Sequence, residues 1–305
     1  MRSAFINQLV LEARNNYKIF LIVGDLGYNV IEPFREEFPD RFLNIGVAEQ
    51  NMAGVASGLA TEGYCVYIYS IGNFPTLRCM EQIRYDICYH NLNVKIVSVG
   101  AGFSYGPLGT SHHCTEDIGM LRTIPNIVIC SPCDPIEAEF ITTFSSTYNG
   151  PCYIRLGKNG EPTINKKEII SQLQLGHPIQ LLKGNNIAVL VTGSILNYVN
   201  DFILSNEISA SLYSFPFIKP ILKQSVLKIL EDHQRIIIIE EHQKSCGFSS
   251  ALLEVINDLF FTHAIDQYPL IKRIGIDDTF INISGTQEYL REKAGLVLSN
   301  NDFNF

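Results

Sequence analysis

The chain has 305 residues, 46% apolar and 18% charged, so it can bury a sizeable core and is neither disordered nor fibrous. Lys and Arg number 23 against 31 Asp and Glu, a net charge of −8 that offers nucleic acid no basic face. No apolar run approaches a membrane span, and the eight cysteines, with no export signal, are expected as reduced thiols in the cytoplasm.

Phe5, Ile6, Leu9, Val10 and Ala13 recur with helical spacing and predict an amphipathic N-terminal helix rather than a signal peptide. Residues 19–23 read as a buried strand ending at Gly24-Asp25, and 42–45 as a second short strand. A helix over 48–60 follows, with Met52, Val55, Ala56 and Leu59 facing inward. Strands at 64–69, 94–99, 127–130 and 151–156 alternate with helices near 78–89 and 135–144. Residues 157–183 break this rhythm, being rich in Gly, Pro, Lys, Asn and Gln, which suits a linker. A second series follows, with strands at 187–191, 208–213, 235–240 and 270–276 and helices at 195–204 and 246–260. The alternation predicts two consecutive α/β domains with largely parallel sheets, residues 1–160 and 184–305, joined by a linker at 161–183.

Ligands of open α/β sheets bind at the C-terminal ends of the strands. That directs attention to Gly24-Asp25, to Gly46 through Glu49, to Ser70 through Phe74 and to Gly100 through Asp117. Glu49 opens a helix among Gly46, Ala48, Ala53, Gly54 and Ala56. A carboxylate in the first turn complements the helix dipole, but one desolvated by such small, apolar neighbours also suits proton transfer. The run from Gly100 to Gly106 spaces its glycines as GxGxxxG, one residue too long for a dinucleotide fingerprint, so NAD binding is not expected. His112 and His113 lie in the Gly-rich loop that follows, placed for acid/base work or ligand contact. A zinc site built from His112, His113, Cys114 and Glu116, with Cys130 and Cys133, has unfavourable ligand spacing, and no metal ligand is assigned.

At these residues the chain resembles the thiamine-diphosphate enzymes of the transketolase superfamily. Residues 44–52 (NIGVAEQNM) are similar to their pyrimidine-binding signature, and 109–116 (GTSHHCTE) to their Gly-x-Thr-His-Gln loop. Gly24-Asp25-Leu26, Tyr69-Ser70, IPNIVICSP at 124–132 and Tyr153-Ile154-Arg155 fall in the family's order. In the second half the likeness rests on Glu240-Glu241-His242 followed by Gly247. The resemblance implies that Glu49 bonds the cofactor's pyrimidine and favours the tautomer that deprotonates the thiazolium carbon. It implies that Phe74 stacks on that ring, that Asp25 lies near the cofactor at a subunit interface, and that His112 contacts substrate. Arg155 is the candidate for a sugar phosphate or other anion, since a guanidinium forks onto its oxygens.

The family holds the diphosphate and Mg²⁺ through a separate domain with a Gly-Asp-Gly motif, and no such string occurs here. The resemblance therefore implies a split transketolase moving a two-carbon ketol unit from a ketose to an aldose. A partner subunit would carry that motif and hold the diphosphate and metal, in an α₂β₂ assembly. Leu108 stands where transketolases place an acidic residue, and Gly100 where they place a histidine, so the sugar is expected to depart from an ordinary pentose phosphate. Alternatives within the superfamily are a 1-deoxyxylulose-5-phosphate synthase and the β subunit of a 2-oxoacid dehydrogenase. The Gly-Thr-Ser-His loop favours the first of these over the second. A non-catalytic scaffold of the same fold is the alternative from another class, and the joint presence of Glu49 and His112 speaks against it.

Overall fold

The five apolar residues of the N-terminal stripe are the buried residues of α1 (Arg2–Asn15), which packs on the first of two sheets. The computed structural model describes residues 1–304. In chain order the first half runs β1 (Ile19–Val23), α2 (Glu32–Glu37), β2 (Phe42–Asn44), α3 (Glu49–Thr61) and β3 (Cys65–Ile71). It continues with β4 (Val94–Val99), α4 (Asp117–Arg122), β5 (Val128–Cys130), α5 (Pro135–Thr147) and β6 (Cys152–Leu156). The second half comprises α6 (Lys167–Ile170), β7 (Ile179–Leu182), β8 (Ile187–Val191), α7 (Ile195–Ser205), β9 (Ser211–Ser214) and β10 (Phe217–Lys219). It ends with α8 (Lys223–Asp232), β11 (Arg235–Gln243), α9 (Phe248–Phe261), β12 (Leu270–Ile276) and α10 (Gln287–Lys293).

Seven strands form the first sheet in the order β10-β5-β6-β4-β3-β1-β2, and five form the second in the order β12-β11-β8-β9-β7. All neighbours are parallel except β10 against β5 and β7 against β9. Both exceptions lie at sheet edges, where a short antiparallel strand closes an otherwise parallel sheet. The inner strands are buried along almost their whole length, as parallel strands covered by helices on both faces must be. One face of the first sheet packs on α1 and α5. Its other face shares a single apolar core with α3, α8 and α9, so the two halves meet through packed hydrocarbon. On the far face of the second sheet, α7 and α10 bury Val199, Ile203 and Leu290.

Several elements differ from the sequence reading. The stretch read as a linker contains α6 and the edge strand β7, whose four residues carry too little alternation to stand out. Three-residue β10 leaves the second half to pair with β5. The helix expected near 78–89 is a tight 3₁₀ turn (Leu77–Cys79) followed by a π-helical segment (Gln82–Tyr89), whose wider turn lays Ile83, Ile87 and Cys88 into the core beside α3. α9 starts at Phe248 rather than 246, because Glu240 accepts the Phe248 and Ser249 N–H groups and so caps it there.

A polar cluster ties the halves together beside this core. Asp134 caps α5 through the Glu137 N–H and accepts the Ile164 and Asn165 N–H groups. The fully buried Glu137 accepts from the Cys133 N–H, the Ser214 hydroxyl on β9 and the Asn165 amide. Burial, then the nearby Asp134 charge, pushes the Glu137 carboxyl up to about 7. The folded state thus holds this proton more tightly than the unfolded chain, where the ordinary value is 4.5. Its stabilising contribution is complete below 4.5 and is lost as pH rises through about 7. Thermal unfolding of the wild type and Glu137→Gln should therefore diverge with pH. The wild-type midpoint is expected to fall relative to the variant across that window, and parallel curves would refute the assignment.

Candidate active site

The C-terminal ends of β1 and β3 and the N-terminus of α3 converge on one carboxylate. Glu49 is the first residue of α3 and is 1% exposed, at the positive end of the helix dipole. Its Oε1 accepts from the Ser70 hydroxyl on β3 at 3.2 Å and its Oε2 from Arg78 Nη1 at 2.7 Å. Gly24, at the end of β1, lies against the same carboxylate: a Cβ there would stand 3.5 Å from Glu49 Oε1 and from Ser70 Oγ. Asp25 follows with φ 56°, its N–H bonded to Asn44 Oδ1 and its Oδ1 accepting from Tyr28 Oη and Asn44 Nδ2. These two bonds, Asn44 first, hold the exposed Asp25 carboxyl below its ordinary value.

The loop after β3 brings the aromatic candidate alongside. Gly72 turns the chain, its carbonyl accepting from Ser98 and Thr76 hydroxyls. Asn73 Nδ2 donates to the His113 carbonyl at 2.7 Å, which joins this loop to the histidine loop. Phe74 meets the His112 ring edge-on, centroids 5.3 Å apart, and Arg78 Cζ lies 4.7 Å from the Phe74 centroid. Glu49, Phe74 and His112 are thus linked through direct contacts with one another or with Arg78.

His112 is half-buried, and its Nδ1 lies 3.0 Å from Ser111 Oγ. Burial lowers its proton affinity, so the ring is neutral at pH 7 and carries one N–H and one lone pair. His113 is buried against Phe103, and its Nε2 has no protein partner. Leu108 projects outward, 55% exposed. Gly100 has φ +102°, and a Cβ there would fall 2.2 Å from the Tyr105 ring, so no side chain fits at this position.

Arg155, expected to present a fork to an anion, instead lies inside the protein. Its Nε donates to Asp117 Oδ2 at 2.8 Å, and its Nη2 donates to the Cys114 and Glu241 carbonyls. Asp117 is fully buried and also accepts from the Tyr153 hydroxyl. Burial works against the Asp117 charge, but Arg155 beside it outweighs this and holds the carboxyl below its ordinary value. The guanidinium is consumed by the protein's own acceptors because α4 presents Asp117 directly beneath β6.

The Glu240-Glu241-His242 run also serves the junction. Glu240 caps α9, and Gly247 is needed there because a Cβ would lie 2.2 Å from Glu240 Oε2. Glu241 accepts from the Phe103 N–H and from Gln287 and Arg291 of α10. His242 Nδ1 faces the Gln243 carbonyl and its Nε2 accepts from the Gly119 N–H, which fixes the tautomer.

Three residues of the cluster escape a reading of the sequence. Ser70 stands out there only beside Tyr69, and Asn73 and Arg78 carry no motif. Arg78 had a usable signal: it is the lone cation between Phe74 and Met80, four residues after the aromatic candidate. A cleft of about 660 Å³ opens between α4, the end of β11 and residues 278–280. Met80 and Glu116 line it, whereas Glu49 and Phe74 do not. Among the described residues no group of three or more His, Cys, Asp or Glu side chains could hold a metal ion. Cys130 and Cys152 approach to 3.7 Å as free thiols, and Cys133 is buried beside Glu137 and Asn165. No helix among the described residues is long and apolar enough to cross a membrane.

The pyrimidine-binding domain model of transketolases matches residues 1–161, and their C-terminal domain model matches residues 178–296. One of the two subunits of an apulose-4-phosphate transketolase of Actinobacillus succinogenes is 31% identical over 301 residues, covering 97% of this chain and 94% of the relative. A 1-deoxy-D-xylulose-5-phosphate synthase of Syntrophus aciditrophicus is 30% identical over 96% of this chain but 44% of its own length. Among solved structures, a split-gene transketolase described as an inactive β4 tetramer superposes with a TM-score of 0.84 at 30% identity, covering 97% of this chain and 93% of that one.

Proposed function

The chain belongs to the transketolase family, as the split-enzyme subunit with the pyrimidine-binding and C-terminal domains, and we propose that Glu49, Phe74, Asp25 and His112 form its half of a shared thiamine-diphosphate site. The observation that carries this reading is the buried Glu49 carboxylate beside Phe74. The structure already seats a flat, nitrogen-bearing group there, since the Arg78 guanidinium bonds Glu49 and lies over Phe74. An aminopyrimidine offers the same pairing of a planar face and in-plane nitrogens, so the residues fit such a ring.

When bound, thiamine diphosphate supplies a nucleophilic carbon that accepts the two-carbon unit from a ketose and passes it to an aldose. Glu49 would hold a proton at a pyrimidine nitrogen, and its burial keeps water from competing for that proton. Phe74 would fix the plane of the ring. His112, neutral and able to donate or accept, would meet a substrate oxygen and relay a proton there. Asp25, exposed at the end of β1, would face the partner near the cofactor. The partner subunit would carry the Gly-Asp-Gly motif and hold the diphosphate and Mg²⁺, in an α₂β₂ assembly.

Arg155 is committed to Asp117, so a sugar phosphate would be held by other residues, some from the partner. Exposed Leu108 and side-chain-free Gly100 favour a sugar other than an ordinary pentose phosphate. Apulose 4-phosphate, named for the Actinobacillus relative, is the first donor to try beside xylulose 5-phosphate.

The direct experiment co-expresses this chain with a neighbouring reading frame that encodes a Gly-Asp-Gly motif. Thiamine diphosphate and Mg²⁺ are then titrated into each chain and into the pair by calorimetry. Tight binding is expected for the pair only, with ketol transfer following. Tight binding by this chain alone would mean that the diphosphate site is misassigned. Release of CO₂ from pyruvate and glyceraldehyde 3-phosphate would favour the synthase reading.

A further inference from the structure

One side chain touches both proposed cofactor contacts. Arg78 Nη1 donates to Glu49 Oε2 at 2.7 Å, and its Cζ lies 4.7 Å from the Phe74 ring centroid. The backbone of Arg78 is braced in turn. Gln50, the residue after Glu49, donates through Nε2 to the Arg78 carbonyl at 3.1 Å, and the Arg78 N–H reaches the Asn73 carbonyl.

Without Arg78, the Glu49 side chain would keep one bond, from Ser70 at 3.2 Å. A terminal carboxylate torsion is broad and poorly fixed by its own rotamer preference, so a single long hydrogen bond leaves its plane undefined. A buried carboxylate short of donors is also costly. A guanidinium supplies what is missing, because its rigid plane offers donors at its edge and a flat face to an aromatic ring. At Arg78 the edge serves Glu49 and the face serves Phe74, while 46% of the side chain remains open to solvent.

We propose that Arg78 is a positioning residue for the thiamine-diphosphate site. It fixes the plane of the Glu49 carboxylate and the tilt of Phe74, so that both meet the pyrimidine ring together, and it does not touch the sugar. This rests on the assignment of Glu49 and Phe74 above.

The test uses the assembled enzyme with Arg78→Met and Arg78→Lys. Three quantities are measured: cofactor affinity by calorimetry, deuterium exchange at the thiazolium carbon of bound cofactor by acid quench and NMR, and the sugar KM at saturating cofactor. Arg78→Met is expected to weaken cofactor binding about tenfold and slow exchange by at least as much, the worth of one charge-assisted hydrogen bond. Arg78→Lys restores the charge without the plane and should recover exchange in part. The sugar KM should stay unchanged in both. Tighter cofactor binding by Arg78→Met would overturn the proposal, since Arg78 would then be occupying the ring's own seat. Unchanged exchange or a raised sugar KM would overturn it as well. Should Arg78→Met fail to fold, the Lys variant carries the same three readouts. A wild-type complex that neither binds the cofactor nor exchanges would count against the underlying site assignment, not against Arg78.

Discussion

Glu49→Ala should lower turnover of the assembled enzyme by about 10²–10⁴-fold, the usual contribution of a placed acid/base group. The side chain is 1% exposed at the start of α3, so no solvent group can take its place. The fold should survive, because Arg78 can turn its charge to water and the helix loses only a small side chain. Glu49→Gln sharpens the test: it keeps the volume and the polar contacts with Ser70 and Arg78 but cannot pass a proton to a ring nitrogen. Both variants should therefore lose kcat while unfolding near the wild-type temperature. Rates measured at saturating thiamine diphosphate, with circular dichroism melts alongside, decide the matter. Turnover at the wild-type level in either variant would remove Glu49 from the mechanism.

Much of this site is legible without the fold, for a physical reason. Glu49, His112 and Phe74 all lie on loops or helix starts at strand ends, and those strands announce themselves as short apolar runs closed by glycine. What could not be read was pairing. Nothing local in Tyr153-Ile154-Arg155 says whether the guanidinium faces solvent or a carboxylate, because Asp117 is 38 residues away in sequence. Edge strands escaped notice for a related reason. β7 and β10 have four and three residues, too few for a periodic signal, and their pairing depends on distant partners. Arg78 was visible in sequence, but its meaning rests on contacts with Glu49 and Phe74 that the fold creates.

The largest effect on stability is expected at the buried pair beneath the histidine loop. Asp117 is 0% and Arg155 3% exposed, and the guanidinium also holds the Cys114 and Glu241 carbonyls, one from the histidine loop and one from β11. Asp117→Asn leaves a buried cation without its counter-charge, a loss of about 3–5 kcal/mol, which for a chain of this size lowers the melting temperature by roughly 10 °C. Arg155→Met strands Asp117 in the same way, with the Tyr153 hydroxyl as its remaining partner at 2.6 Å. Replacing both residues together, Asp117→Leu with Arg155→Met, should recover most of the loss, since a buried pair exchanged for apolar groups is often neutral. Thermal melts of the two single variants and the double variant close the cycle. The outcome separates two roles for Arg155. A structural guanidinium gives large single losses and strong coupling with Asp117, whereas an anion contact gives a raised sugar-phosphate KM with an undisturbed melt. Because Cys114 follows His112 by two residues, the single variants should also loosen the histidine loop. Part of any activity they lose should therefore return in the double variant with the stability, and a double variant that melts normally yet stays inactive would restore Arg155 to the substrate site.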